Sequence, residues 1–331
     1  MKNENGIEKS AILKGQTLVN YFNPNTISEL PDEGFLLNEP DFSKQRVFNY
    51  IPLQPYEDNT EYTMIVWLKD VVNPNNVALL ISFGSTDLLI NNFKDGINIA
   101  KGTIKTISGN PNIRIGNVDV LNGAGATLIG AVILKGDYTT ISLNSPFYGM
   151  QSVKMPILTT SNEDSTKSNI LTVNEDITLR GIGDVQDTLD LVSGELTERI
   201  GEIVLDGSED EDWSADTPKD NINRYLLRVD NLKDVTNYSD SIKCDKWRVF
   251  KPVVGKTENQ EGIYINGWVD KIHMGVDVSR LSENSLNGFK QWLSKNPLTV
   301  QYPLATESIK TVDLSIQDQD NQPQERMKLS S

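Results

Sequence analysis

From Tyr62 to Leu134 the chain is written in short runs of β-branched and aromatic residues, interrupted by glycine or by turn-forming clusters, with no helix period between them. Tyr62-Thr63-Met64-Ile65-Val66-Trp67-Leu68 is followed, across Val72-Asn73-Pro74-Asn75-Asn76, by Val77-Ala78-Leu79-Leu80-Ile81-Ser82-Phe83, and the pair reads as a hairpin. Further runs at Ile97-Asn98-Ile99, Thr103 to Ile107, Asn112 to Ile115 and Ala131 to Leu134 are closed by Gly102, Gly109, Gly116 and Gly136. A chain that turns this often buries apolar surface by stacking sheets, so a jelly-roll β-sandwich is expected here.

A stretch without apolar side chains, Thr159 to Asn169, follows and reads as a linker or exposed loop. Beyond it, strand-like runs return at Ile177 to Arg180, Glu198 to Leu205, Tyr225 to Val229 and Ile263 to Val269. One helix is predicted near the C-terminal end, because Leu286, Phe289 and Leu293 share a face, with Ser282 placed to cap its start and Asn296-Pro297 to end it. Gly288 weakens that helix by about 1 kcal/mol relative to Ala, so a tertiary partner is expected to hold it. The fold class is therefore mainly β: an N-terminal jelly-roll β-sandwich, then a second β-rich domain containing one short helix. The expected divisions are an N-terminal arm at 1–15, the jelly roll at 16–145, a connector at 146–175 and the β-rich domain at 176–331.

Composition narrows the function. A net charge of -15 argues against nucleic-acid binding, which draws on clustered Lys and Arg, and against anionic membranes. With apolar residues at 37%, no run approaches the roughly 18 residues of a membrane-spanning helix, and the start of the chain has no apolar segment of the kind a secretory signal needs, so a soluble protein without a signal is expected. The single cysteine, Cys244, excludes an intrachain disulfide, and with His273 alone it cannot complete a four-ligand zinc site.

Alternation along the strand containing Trp67 puts Met64, Val66 and Leu68 on one apolar face, leaving Thr63, Ile65, Trp67 and Lys69 for solvent or a partner. Trp67 is thus a candidate carbohydrate platform, or it packs against a loop or a neighbouring subunit. By the same parity Tyr264 and Trp268 share a mixed face with Asn266 and Asp270, where a sugar ring could stack or an interface could form. The run Asp206-Gly207-Ser208-Glu209-Asp210-Glu211-Asp212 offers oxygen ligands for calcium through Asp206, Glu209, Asp210 and Asp212, but lacks the EF-hand spacing and reads better as a solvated hairpin loop. Asp318-Gln319-Asp320-Asn321 reads the same way.

Catalytic signals are sparse. No Gly-x-Ser-x-Gly elbow occurs, Leu128 stands where a dinucleotide fingerprint needs its third glycine, and nothing in the sequence brings Cys244 and His273 together as a thiol dyad. No enzymatic activity and no cofactor are expected; a wall-polymer hydrolase using paired carboxylates is the remaining enzymatic alternative.

From Leu134 onward the chain resembles tail-fibre and baseplate minor structural proteins of bacteriophages that infect Gram-positive bacteria. The resemblance is carried by Leu134 to Thr139, Pro146 to Val153, Asp187 to Gly201 running on to Glu209, and Phe289 to Thr306. Residues 16–140 are similar, more diffusely, to the carbohydrate-binding-module jelly rolls that such proteins carry. The resemblance implies a virion protein that is made in the bacterial cytoplasm and forms a homotrimer. It also implies contacts with other tail or baseplate proteins and participation in host attachment or in carbohydrate-binding to a wall glycan.

Overall fold

The computed structural model describes residues 12–318 apart from 25–29, 40–46, 73–77, 85, 106, 116–123, 142, 155–157, 162–167, 174–176, 192, 256–258 and 313. It is mainly β, and its chain divides into two compact units. One comprises Leu18–Gln151 with Asp245–Arg248; the other takes the flanking segments, Ser152–Cys244 and everything from Val249 on, together with the chain up to Thr17.

The first unit is a jelly roll. Its eight strands are β1 (Phe35–Glu39), β2 (Val47–Asn49), β3 (Thr60–Val72), β4 (Ala78–Gly84), β5 (Asp87–Asn91), β6 (Gly96–Ile104), β7 (Ile107–Ile115) and β8 (Ala124–Lys135). They form two antiparallel sheets in the orders β1-β8-β3-β6 and β2-β7-β4-β5, so every successive pair except β4–β5 passes from one sheet to the other, and β3 and β4, expected as a hairpin, lie in different sheets. The inter-sheet core takes Met64, Val66 and Leu68 from β3, Leu79, Ile81 and Phe83 from β4, Ile113 and Ile115 from β7, and Leu128 and Ile133 from β8. An extra residue between Leu128 and Gly130 shifts the register against β3 and reverses parity, so Leu128 and Ile133 both point inward although five positions apart. Tyr21, Tyr50, Tyr56 and Tyr62 close one part of this core as a ring cluster, in which the Tyr50 and Tyr56 hydroxyls meet at 3.0 Å and burial pushes the Tyr62 hydroxyl up to about 12.

The second unit holds two five-stranded antiparallel sheets and the helix. Its strands are β9 (Thr188–Asp190), β10 (Glu195–Leu205), β11 (Trp213–Lys219), β12 (Ile222–Leu227), β13 (Tyr238–Ser239), β14 (Lys243–Cys244), β15 (Gly262–Asn266), β16 (Lys271–Asp277) and β17 (Leu298–Thr311), with α1 (Leu286–Lys295) before the last. The short strand Ile12–Lys14 opens the first sheet and is followed by β9-β10-β17-β14; the second sheet runs β11-β12-β16-β15-β13. The segment expected as a free N-terminal arm thus contributes a strand: Ile12 to Lys14 pair with Asp190 to Thr188, and the Gly15 N–H donates to Asp187 O at 2.8 Å. The stretch read as a linker is also partly paired, because Leu158–Ser161 lies antiparallel to Ser168–Val173, which pairs in turn with Leu314–Asp318. Polar residues satisfy a ladder as well as apolar ones do, so lack of apolar side chains did not preclude a strand there.

Helix α1 is capped one turn later than the sequence suggested. Ser285, not Ser282, is the N-cap, its hydroxyl accepting from Gly288 N at 3.0 Å, and the Asn296 N–H donates back to Leu293 O and Trp292 O at the other end. Phe289 and Leu293 are buried; Phe289 stacks on Tyr225 of β12 with ring centroids 3.8 Å apart and meets Trp213 of β11 edge-on. Gly288 has a packing reason, since a Cβ there would lie 2.1 Å from Glu283 O.

Candidate functional site

The sequence-derived candidates divide sharply by exposure. Trp67 is only 8% exposed. The parity argument placed it on the correct face, opposite Met64, Val66 and Leu68, but that face is not a surface. Residues following β8 double back across the sheet, and Tyr138, Ile141, Leu143 and Phe147 pack with Leu18, Ile65, Val132 and Leu134 around the indole. Asn20 ties this layer down, donating to Ala131 O at 3.0 Å and Phe147 O at 2.6 Å while its Oδ1 accepts from Phe22 N and Ile133 N. Thr63 does the same at the other end through Gly136 O and Tyr138 N. Trp67 is therefore a core residue of a second apolar layer and is withdrawn as a carbohydrate platform; nothing in the strand's own pattern announces a covering segment more than 70 residues away.

Tyr264 and Trp268 are likewise separated. Strand β15 is buried on both faces and ends at Asn266; Asn266 pairs with Lys271, and Gly267 to Asp270 form the turn into β16. Alternation stops where the turn starts, so the shared face inferred for Tyr264 and Trp268 does not exist. Tyr264 is 2% exposed and packs edge-on against Tyr238 and Phe250. Its hydroxyl bonds His273 Nδ1 across the hairpin, His273 Nε2 accepts from Arg224 Nε at 3.2 Å, and Arg224 is ion-paired to Asp216. With Nε2 accepting, the imidazole carries its proton on Nδ1. Four side chains from β11, β12, β16 and β15 thus form one polar line that runs from the half-buried Asp216 and Arg224 to the buried His273 and Tyr264. Cys244, also buried, sits on β14 of the other sheet, so the structure does not assemble the thiol dyad considered from composition.

Trp268, by contrast, is 55% exposed and firmly held. Its Nε1 donates to Asn237 Oδ1 at 2.9 Å, its backbone N–H to Asn266 Oδ1 at 3.2 Å, and Tyr238 covers one side of the indole at a centroid distance of 4.8 Å. The preceding Gly267 donates to Asn237 O at 2.7 Å, and a Cβ there would lie 1.9 Å from Val235 O, so only glycine lets the turn seat against residues 235–237. Asp270 closes the turn with a φ of 50°, the left-handed conformation that Asp tolerates.

The acidic run folds inward around one of its members. Glu211 is buried; its carboxylate accepts from the N–H groups of Asp206 and Gly207 and from Trp213 Nε1. Asp206 accepts from Ser208 N at 3.0 Å, and its bonding to Ser208 holds its carboxyl below the usual range. Gly207, with a φ of 75°, lies where a Cβ would come within 2.1 Å of Lys290 O, which docks the turn on α1. Asp206, Glu209, Asp210 and Asp212 do not converge: among the described residues no group of three or more His, Cys, Asp or Glu is placed to hold a metal ion. The signal missed here was the Asp-Gly turn followed by an acidic residue able to reach back to it.

Among the described residues no helix is long and apolar enough to cross a membrane. No protein-family model, curated protein or solved structure matches the chain. What the fold and this geometry define is a two-unit β protein with a jelly roll and one rigidly presented surface tryptophan.

Proposed function

We propose that this chain is a structural component of a bacteriophage tail or baseplate that contributes to host-surface attachment. The observation that carries the reading is where the residues resembling that family fall. Asp187 to Gly201 supplies β9, most of β10 and the carboxylate that braces them, and Phe289 to Thr306 supplies most of α1 and the first part of β17. The likeness is thus concentrated in residues that build a scaffold, as expected of an architectural protein rather than an enzyme. Copies of the chain associate with one another, as a trimer, and with other tail proteins. Trp67 and Trp213 are buried within their own chain and need no subunit interface to cover them, so the trimer rests on the resemblance alone.

The test is proteomic and structural. Mass spectrometry of purified particles of the encoding phage is expected to recover the chain in fixed ratio to other tail proteins, and immunogold labelling to place it at the tail tip. Particles lacking it would overturn the reading. Sedimentation of the purified protein is expected near three times 36.9 kDa. The second reading, a carbohydrate-binding receptor protein, is favoured by one feature, the exposed and immobilised Trp268.

A further inference from the structure

We infer that the tip of the β15–β16 hairpin is a stacking site for an uncharged pyranose, with the open face of Trp268 as its platform. This rests on the attachment reading above and gives it a ligand class.

The argument begins with the cost of the arrangement. An indole left more than half exposed forgoes much of the burial that makes tryptophan stabilising in a fold, and a freely rotating one would at least keep its side-chain entropy. Trp268 has neither benefit. The bond from Nε1 to Asn237 Oδ1 fixes the ring about its long axis, Tyr238 supports one side, and the backbone is clamped through Asn266 Oδ1 and through the bond from Gly267 to Asn237 O. Because Tyr238 packs against the indole at a tilt of 51° while the residue stays 55% exposed, a large part of the ring is presented to solvent in a single orientation. Such pre-organisation lowers the ordering cost of binding.

The shape of the site selects the occupant. The platform is one ring at the tip of a turn, followed there by the half-exposed Val269 and bordered by two polar residues, Asn237, whose side chain is exposed, and Asp270 in the turn itself. A flat apolar patch of this size with hydrogen-bonding groups at its rim matches the C–H face and equatorial hydroxyls of a pyranose, an amphipathic surface of the same dimensions. A protein interface would need a far larger contiguous area. Charge completes the choice. The chain carries -15, and Asp270 adds a carboxylate at the turn, so polyanionic wall polymers are repelled and uncharged sugars are favoured.

The test uses the full chain, its Trp268→Ala and Trp268→Tyr variants, and a panel of soluble oligosaccharides comprising uncharged gluco-, galacto- and N-acetylglucosamine oligomers and an anionic glycerol phosphate polymer. Titration calorimetry is expected to show binding to at least one uncharged oligomer. Trp268→Ala should weaken it at least about tenfold, with Trp268→Tyr in between. Melting temperatures of the variants should fall only slightly, since the residue is more than half exposed and its partner Asn237 is itself exposed. Binding confined to the anionic polymer would overturn the inference. So would binding unaffected by Trp268→Ala, binding to none of the panel, or a change in sedimentation alone, which would assign the indole to contact between copies. Each of these would leave the chain's presence in virions untouched, so the two readings fail separately.

Discussion

The Asp187 carboxylate closes the bulge at Arg199: its Oδ1 accepts the Arg199 N–H at 2.7 Å and the neighbouring Ile200 N–H at 3.0 Å, where the register between β10 and β17 slips. Oδ2 takes the Arg180 N–H at 2.9 Å, so one buried side chain satisfies three backbone donors from two segments. Burial pushes the carboxyl up and the three N–H groups pull it down; burial prevails. Asp187→Ala would leave all three donors unpaired, at about 1–3 kcal/mol for each that stays buried. A loss of at least about 3 kcal/mol is expected in urea unfolding, with Asp187→Asn intermediate because its amide would face the Arg180 donor. A variant within about 0.5 kcal/mol of the parent would show that water replaces the carboxylate at no cost.

Gly207 makes a second local prediction. Its positive φ and its approach to Lys290 O both exclude a side chain, so Gly207→Ala should cost about 2 kcal/mol or more and shift α1 relative to β11. The near-ultraviolet dichroism of the Trp213 and Phe289 pair is the readout, their rings being 4.9 Å apart at 85°. An unchanged spectrum with unchanged stability would mean the turn is not docked on the helix.

Trp67 gives a contrast with the sequence expectation. As a buried residue, it should lose about 3–5 kcal/mol on Trp67→Ala, well beyond a surface change. Trp67→Phe should be milder than truncation, because the indole Nε1 makes no hydrogen bond among the described residues and its removal leaves no acceptor stranded. Thermal melting of the two variants separates the cases: equal, small losses would return Trp67 to the surface.

These residues also show how far sequence carries. The β character of the first unit and the inward set Met64, Val66 and Leu68 followed from alternation within a few residues, but Gly102 and Gly109, expected to close strands, lie inside β6 and β7, and the expected partners β3 and β4 lie in different sheets. Whether the outward set met solvent depended on residues 138–147 crossing the sheet, a relation between distant segments that no local period encodes. Trp268 was found for a reason that fails, since its exposure comes from the turn and not from the strand. Helix α1 was recognised by its apolar spacing, but its cap moved because Ser282 and Ser285 have equal chemistry and only tertiary packing chooses between them. Glu211 was invisible inside a run of like charges; its role is set by three donors that converge only after folding.

The last prediction concerns the pairing of Tyr264 with His273, which links the two strands whose turn carries Trp268. His273→Phe removes the acceptor for Arg224 Nε and the partner of the Tyr264 hydroxyl in a site where the imidazole is 1% exposed. At about 1–3 kcal/mol for each stranded group, a loss of about 3 kcal/mol is expected. Tyr264→Phe removes only one of the two bonds and should cost less. A double-mutant cycle over the two changes isolates the hydroxyl-imidazole term, expected at about 1 kcal/mol or more near neutral pH. A coupling energy within about 0.3 kcal/mol of zero would show that Tyr264 and His273 act independently.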